Sequence, residues 1–429
     1  MLAGIVVTGD GTTVYNPGYI VIDGGRIAKV GQGRPPGGAS QDHGDALLTP
    51  GLINVHVHCV TLGPAHATGS RAPAEEEVAA FKERHLRGGT TSVLSVDGFP
   101  LWSEYLALRD RHPLKVAKCT AHTPANVRAA ELADGAGLTD AHRKATVDEL
   151  VAQGAAVVGE VGAGGTLGGG MQEYQYIPAA IAERCGVRID AFQARALKES
   201  VLGRTIDPAN LDRAALQRAM EGAGITGRMS PDAVIETVHR CVMPSMQHAY
   251  EGLREAAAAA ARLDRPVIVH HAAASAEVVL EIASDRMIAG HVNHPSFTEE
   301  ESLRYARALR GRGALLEISG LDLFTRTKGK EDAANFLALV RERLVDLVGT
   351  DYAAGNYDPV SVPLAAIVRE RLMSVPETVA LATGNVARHL PGVFTAGLLE
   401  AGRPADVAVF SSDLATVRAV YVDGWQVVG

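Results

Sequence analysis

The sequence has few cysteines, few aromatic residues and no long hydrophobic run, and each shortage excludes a class of protein. Its four cysteines, Cys59, Cys119, Cys185 and Cys241, form no Cys-x-x-Cys pair, so neither a disulfide framework nor a thiolate zinc site is predicted. No run of about 18 apolar residues occurs, and no basic segment precedes an apolar core near the first residue. We therefore expect a cytoplasmic protein that does not span a membrane.

An excess of positive charge is also lacking. The 429 residues carry a formal net charge of -8, whereas a nucleic-acid surface needs clustered Lys and Arg. Hydrophobic residues make up 47% and charged residues 21%, values typical of a soluble α/β protein with room for a barrel and a smaller unit. We expect a small-molecule substrate and a homo-oligomer, with no nucleic-acid or membrane partner.

Short strands separated by turns are predicted at both ends of the chain. They lie at 4–7, 18–25 and 26–30 near the start, and at 405–410 and 417–428 near the end. Neither end has enough strands for a stable sheet of its own. Residues 1–50 and 395–429 are therefore predicted to form one composite β-sandwich, with residues 51–394 as a single inserted domain.

Eight short β-branched runs alternate with helical stretches in the inserted domain. They lie at 52–58, 91–97, 116–123, 155–161, 266–271, 286–292, 314–319 and 345–351. Eight strands alternating with helices predict a parallel (β/α)8 barrel, the TIM-like fold, with an open doubly wound sheet as the alternative. Residues 190–263 do not fit this alternation, and we expect them to form an additional helical segment, called the excursion below. This segment could cover the barrel mouth or form a dimer arm.

Polar residues end several of these strands. His56 and His58 are two residues apart in a strand, so their side chains face the same way and can bind one ion together. Four more candidate ligands close later strands: Glu160, His270, His291 and Asp351. Taken singly, each could be a core histidine or a salt-bridge partner. Together, at the strand ends of one barrel, they indicate a site for Zn, Fe, Mn, Co or Ni.

The chain resembles the amidohydrolase superfamily, and within it bacterial enamidase, over nearly its whole length apart from the excursion. The motifs that carry the resemblance are Pro50-Gly-Leu-Ile-Asn-Val-His-Val-His58, Val158-Gly-Glu-Val-Gly162, Val269-His270, Gly290-His-Val-Asn293, Gly349-Thr-Asp351, Ala382-Thr-Gly-Asn385 and Gly402-Arg-Pro-Ala-Asp406. The chain departs from enamidase in two respects: His271 and His294 lie beside the expected ligands, and the excursion is longer. These differences indicate that its substrate pocket differs from that of enamidase.

The resemblance implies two divalent metal ions, zinc before iron or manganese. His56 and His58 would hold the first ion with Asp351, and His270 and His291 would hold the second. Glu160 would bridge the ions, in the place where many relatives have a carboxylated lysine. Asp351 would also be the catalytic proton carrier. The implied activity is hydrolysis of a C–N bond in a cyclic amide or enamide of a small heterocycle, by metal-activated hydroxide.

Two other functions remain open. A deaminase acting on an amino-substituted ring would use one metal ion, whereas the complete set of Glu160, His270 and His291 favours two ions and hydrolysis. A non-catalytic scaffold would be expected to have lost ligands, and none is missing here. The segment 162–170 is rich in glycine but lacks the pattern of a phosphate-binding loop, so it predicts only flexibility beside Glu160.

Several residues near the predicted site have no settled role. His294 is a candidate substrate-binding residue, His271 is expected to pack behind the barrel, and His66 and His122 are expected to be solvated loop residues. Arg195 and Lys198 could meet a substrate carboxylate or form a solvated helix face. Tyr352 and Tyr357 could line the pocket.

Overall fold

Strands from the two chain ends and strands from the middle of the chain form two separate sheets. The computed structural model describes residues 1–167, 170–320, 323–324, 333–351 and 358–429. The strands are β1 (Leu2–Val7), β2 (Val14–Asp23), β3 (Arg26–Gln32), β4 (Gln41–Pro50), β5 (Leu52–Val57), β6 (Thr90–Ser95), β7 (Lys115–Thr120), β8 (Val157–Val161), β9 (Val267–His270), β10 (Met287–Gly290), β11 (Leu315–Ser319), β12 (Leu347–Gly349), β13 (Val407–Phe410), β14 (Val417–Val422) and β15 (Trp425–Val428).

Helices fill most of the connections between the middle strands. They are α1 (Glu75–Arg87), α2 (Trp102–Arg109), α3 (Pro124–Ala133), α4 (Asp140–Lys144), α5 (Val147–Gln153), α6 (Ile177–Cys185), α7 (Ala191–Leu202), α8 (Arg213–Gly222), α9 (Pro231–Leu263), α10 (Ala276–Glu281), α11 (Glu299–Gly311), α12 (Ala334–Arg341), α13 (Ser361–Arg369), α14 (Val375–Ala380) and α15 (Gly384–His389). A π-helical turn at Gln172–Tyr176 precedes α6, and a 3-10 turn lies at Pro208–Asn210. None of the described helices is both long and apolar enough to cross a membrane.

The terminal strands pair in the order β15-β14-β13-β4-β1-β2-β3, which confirms the composite β unit built from both ends. Pairing forms one continuous sheet, with β4 parallel to β1 and antiparallel to β13. Strand β4 was not predicted, because its first half, 41–45, is polar and exposed. Pairing of Gln41 and Asp42 with β1, and not side-chain burial, makes this half a strand.

The eight middle strands confirm the predicted parallel barrel. They pair in sequence order from β5 to β12, and the side chain of Asn54 joins the first strand to the last by donating to Thr350 Oγ1 at 2.7 Å. An open doubly wound sheet is excluded because β12 lies beside β5. One apolar cluster contains side chains from seven strands together with Val386 and Leu390 on and after α15. These side chains can meet only inside the barrel, so the interior is packed at one end.

The predicted helical excursion is present between β8 and β9. Its last helix, α9, begins after Ser230, whose side chain accepts the N–H of Ala233, and ends at Asp264 in a left-handed conformation. Helix α9 packs on α3 and against β8 and β9, so it occupies the outer helical layer. Helix α7 reaches the barrel mouth, where Arg195 lines the main cavity.

Candidate metal and active site

The two histidines of the His-x-His motif lie at the end of β5, inside the barrel mouth. Both are buried, with 0% of His56 and 4% of His58 exposed. His56 Nε2 lies 3.5 Å from Glu160 Oε1, and His58 Nε2 lies 3.7 Å from Glu160 Oε2. The alternation predicted for a strand therefore brings both imidazoles to the same carboxylate.

Glu160, near the end of β8, lies between two pairs of histidines. The same oxygen that faces His56, Glu160 Oε1, lies 3.0 Å from His270 Nδ1 and 3.5 Å from His291 Nε2. Burial alone would raise the pKa of Glu160, but the charge of His56, the hydrogen bond with His270 and the nearby imidazole of His291 hold that pKa well below its ordinary value. Glu160 is therefore an ionised carboxylate placed between two ligand pairs.

Asp351 follows β12 and completes the cluster on the side of the cavity. Its Oδ1 lies 3.3 Å from His58 Nε2 and 3.7 Å from His56 Nε2, and its Oδ2 lies 4.0 Å from His291 Nε2. Burial opposes ionisation, yet the charges of these histidines lower the pKa of Asp351. Its side chain remains 27% exposed, more than that of any of the four histidines or Glu160. The ionised carboxylate can therefore exchange protons with molecules in the cavity.

The ring nitrogens of this cluster fit divalent metal ions. Among the described residues, His56 Nδ1 and Nε2, His270 Nε2 and His291 Nε2 are buried without a hydrogen-bond partner. Such atoms are costly unless a ligand satisfies them. The donor atoms form three overlapping groups, and within each group they lie within 4.8 Å of one another. The groups are His56 with His58 and Glu160, Glu160 with His270 and His291, and His56 with His291 and Asp351. Imidazole nitrogen with carboxylate oxygen suits zinc, iron or manganese.

Two buried carboxylates beside these ligands were not predicted. Asp97, just after β6, lies 2.8 Å from His58 Nδ1 and accepts the backbone N–H groups of Cys59 and His66, each at 2.6 Å. Glu317 in β11 accepts the backbone N–H of His291 at 2.8 Å. Both residues could have been predicted from the sequence, because each is a carboxylate at or near the end of an apolar strand of the same barrel.

The structure also places the histidines whose roles were open. His294 lines the cavity, and its Nδ1 accepts the backbone N–H of Ser296 at 3.1 Å. His271 is buried on the other side of its strand, packed against Phe297 with ring centroids 4.9 Å apart. The prediction that His66 is solvated was wrong, because its ring packs 4.7 Å from that of His58 at the cavity wall.

His122 is also not a solvated loop residue. It is only 3% exposed, and its Nδ1 lies 3.0 Å from Thr120 Oγ1. Burial, with a smaller contribution from the charge of Lys118, lowers the pKa of His122 to about 3. Tyr352 and Tyr357, predicted as possible pocket residues, lie outside the described part of the chain.

A cavity of about 1180 Å³ opens above the cluster. Its wall includes His66, Met171, Arg195, His294 and Phe297, together with Gly164, Gly165 and Gly170 of the glycine-rich segment. Lys198 does not lie on a solvated face. It is buried and paired with the buried Glu173 at 2.6 Å, and Arg195 pairs with the same carboxylate at 3.0 Å.

Histidine and carboxylate side chains lie together at the carboxyl ends of the strands of a parallel eight-stranded barrel. Enzymes with this fold place their active sites at the same end of the barrel. The chain belongs to the amidohydrolase family, whose sequence profile matches residues 134–427. It is therefore assigned to the hydrolases that act on C–N bonds. A search of curated protein sequences gives no match.

Solved structures support the fold over the whole chain. An ochratoxinase from A. niger superposes with a TM-score of 0.56 and 17% identity, covering 100% of this chain and 95% of that one. A Xaa-Pro dipeptidase with bound methionine gives 0.54 and 16%, covering 100% and 99%. Enamidase, described as a member of the amidohydrolase superfamily, gives 0.52 and 16%, covering 100% and 95%, so the resemblance to enamidase is confirmed at the level of the fold.

Proposed function

We propose that the protein is a metal-dependent amidohydrolase that hydrolyses a C–N bond, with a cyclic amide or enamide of a small heterocycle as the substrate class. One observation carries the proposal. An ionised, buried Glu160 lies within 3.0 to 3.7 Å of ring nitrogens from four histidines, and two of these nitrogens, on His56 and His291, have no hydrogen-bond partner among the described residues. A metal centre is the arrangement that satisfies these groups together.

Two divalent ions would be held by six side chains. His56, His58 and Asp351 would hold the first ion, His270 and His291 the second, and Glu160 would contact both. When bound, such ions lower the pKa of a shared water towards neutrality and polarise the substrate carbonyl. The identity of the metal is proposed as zinc, with iron or manganese as alternatives that the same donor set can bind.

Asp351 is proposed as the group that moves the proton. Its low pKa makes it a carboxylate at neutral pH, and its partial exposure places it against the cavity. It can accept a proton from the attacking water and return that proton to the leaving nitrogen. In a ring amide this nitrogen stays tethered to the new carboxylate, so the product is a single ring-opened molecule.

His294 is proposed to donate a hydrogen bond to the substrate. Because its Nδ1 accepts the N–H of Ser296, the proton of the neutral ring is on Nε2. Burial and the charges of His270 and His291 lower the pKa of His294 well below its ordinary value, which keeps the ring neutral. A neutral donor at the cavity wall can orient a carbonyl oxygen.

The cavity limits the substrate by size and chemistry. A volume of about 1180 Å³ exceeds the range of about 300 to 1,000 Å³ that is usual for small-molecule sites, so a ring with a substituent fits more naturally than a bare ring. Apolar side chains from Met171 and Phe297 face the same space as the polar cluster. These walls favour a planar apolar body with one reactive amide.

The test is a substrate panel on purified protein loaded separately with zinc, iron or manganese. The panel contains ring amides, ring enamides, linear amides and amino-substituted rings, and mass spectrometry follows the products. The proposal predicts metal-dependent addition of one water to a ring amide or enamide. Ammonia release from an amino-substituted ring would identify a deaminase instead, and turnover of linear amides alone would contradict the cyclic substrate class.

A matched control separates the hydrolase from a scaffold. Asp351→Asn keeps the size of the side chain and one coordinating oxygen, and should lose turnover on every substrate that the wild type accepts. If neither protein turns over any member of the panel with any metal, the hydrolase proposal is contradicted.

A further inference from the structure

Glu317 is a buried carboxylate that touches both halves of the ligand cluster. Strand β11 lies between β10 and β12, and the side chain of Glu317 points inward with 0% exposure. Its Oε2 accepts the backbone N–H of His291 at 2.8 Å and lies 3.6 Å from His56 Nδ1. Its Oε1 has no hydrogen-bond partner among the described residues. One carboxylate therefore faces a residue from each pair of histidines.

The neighbouring strands leave space for this side chain. A Cβ atom on Gly349 would lie 2.4 Å from Glu317 Oε1 and 2.8 Å from the Cβ of His56, and a Cβ atom on Gly290 would lie 3.3 Å from the ring of His56. Glycine weakens a strand interior, so its presence is expected where another group approaches the backbone closely. The two glycines flank β11 and accommodate Glu317 and His56 together.

The charge of Glu317 has no ordinary counter-ion. Within the described ranges, no Lys or Arg lies within 4.0 Å of it, and its only ion-pair contact is with His56. Burying an isolated carboxylate is strongly unfavourable unless a positive centre compensates. Among the residues that the structure describes, the imidazole of His56 is the group in position to supply that compensation, directly or through a bound cation.

We propose that Glu317 is a positioning residue that fixes the ring of His56 and the backbone at His291, and so sets the affinity for the metal ions. The inference rests on the proposed metal-dependent function. With Nδ1 facing Glu317, His56 directs Nε2 to within 3.5 Å of Glu160 and 3.7 Å of Asp351. A carboxylate behind a ligating imidazole fixes its tautomer and raises its basicity, and losing such a partner typically weakens metal binding about 10- to 100-fold.

The test is Glu317→Gln, which keeps an oxygen for the N–H of His291 but removes the charge. Zinc affinity is measured by competition with a chelator, and the ring nitrogens of the histidines are followed by 15N NMR in the zinc-loaded protein. Asp406→Asn is the matched control, because Asp406 is another buried carboxylate that lies just before β13, away from the ligand cluster, and pairs with Lys115 of β7 at 2.9 Å. Circular dichroism and urea unfolding of the metal-free proteins report on the fold.

We expect zinc affinity to fall about 10- to 100-fold in Glu317→Gln, with an altered signal from His56, and to stay at the wild-type value in Asp406→Asn. A Glu317→Gln protein that loses stability but binds zinc as tightly as wild type would show that Glu317 only supports the fold, which overturns the inference. If Glu317→Gln does not fold, Gly349→Ala, which crowds Glu317 and His56 without changing a ligand, must lower zinc affinity. A wild-type protein that binds no zinc would instead contradict the proposed function.

Discussion

Asp97 Oδ1 lies 2.8 Å from His58 Nδ1, and this contact turns the opposite nitrogen of the ring towards Glu160 and Asp351. Hydrogen bonds to Asp351 and Asp97 outweigh the effect of burial and raise the pKa of His58 to about 10. The carboxylates therefore favour positive charge at this position, which is what a metal ion supplies. The orientation of His58 depends on a residue that is not itself a predicted ligand.

Asp97→Asn should weaken metal binding without changing a ligand. The amide keeps the size of the side chain but loses the charge that holds His58, so we expect metal affinity to fall about 10- to 100-fold. Competition with a chelator measures the affinity. Wild-type affinity in a folded Asp97→Asn protein would show that the backbone alone orients His58.

His294→Phe should damage substrate binding and spare the metal. The substitution keeps a ring in the cavity wall and removes the Nε2 donor, and one lost hydrogen bond is worth about 0.5 to 1.5 kcal/mol. We therefore expect kcat/KM to fall by about 2- to 13-fold with an unchanged metal content. Loss of metal from this variant would mean that His294 is itself a ligand.

Asp351→Asn should separate binding from chemistry. The side chain keeps one coordinating oxygen but is no longer a base, so metal should largely remain while kcat falls on the order of a hundredfold or more. Turnover, metal content and the acid limb of the pH-rate profile are measured together. An unchanged rate with an unchanged acid limb would assign the proton transfer to another group, and His294 would be the first to test.

His85 should make the protein less stable at acidic pH. Burial, reinforced by the charge of His112, lowers the pKa of this fully buried α1 residue to about 3, whereas in the unfolded chain it is about 6.5. Between these values the unfolded state binds more protons, so stability falls as pH decreases, by at most about 1.4 kcal/mol per pH unit. Urea unfolding from about pH 7 to about pH 5 measures the slope.

The matched pair for this measurement is His85→Gln and His389→Gln. His389 is exposed on α15, so its substitution should leave the pH dependence as in wild type. His85→Gln should reduce the slope. Equal slopes in all three proteins would show that His85 is protonated to the same extent in the folded and unfolded states.

The barrel was predictable because its strands are short apolar runs in regular alternation with helices. The same pattern brought His56 and Asp351 to one rim, since parallel strands end at the same edge. Strand β4 was missed because its first half is polar and is held only by pairing with β1. Local sequence patterns do not record such long-range pairing.

The supporting residues of the site were harder to predict than the candidate ligands. Glu317 and Asp97 have no motif of their own, and their importance depends on which backbone N–H group or imidazole lies next to them. His66 was taken for a solvated residue because it follows a strand in a loop, yet that loop folds back onto His58. Contacts between loops and distant strands arise only from the tertiary fold.

The most direct test of the central claim is elemental analysis of the wild-type protein after expression with ample metal. Glu160 and the five candidate ligands around it predict close to two transition-metal ions per chain, and His270→Ala should lower that number while circular dichroism shows a retained barrel. A metal content near zero in the wild type, together with activity that chelators do not change, would contradict the account.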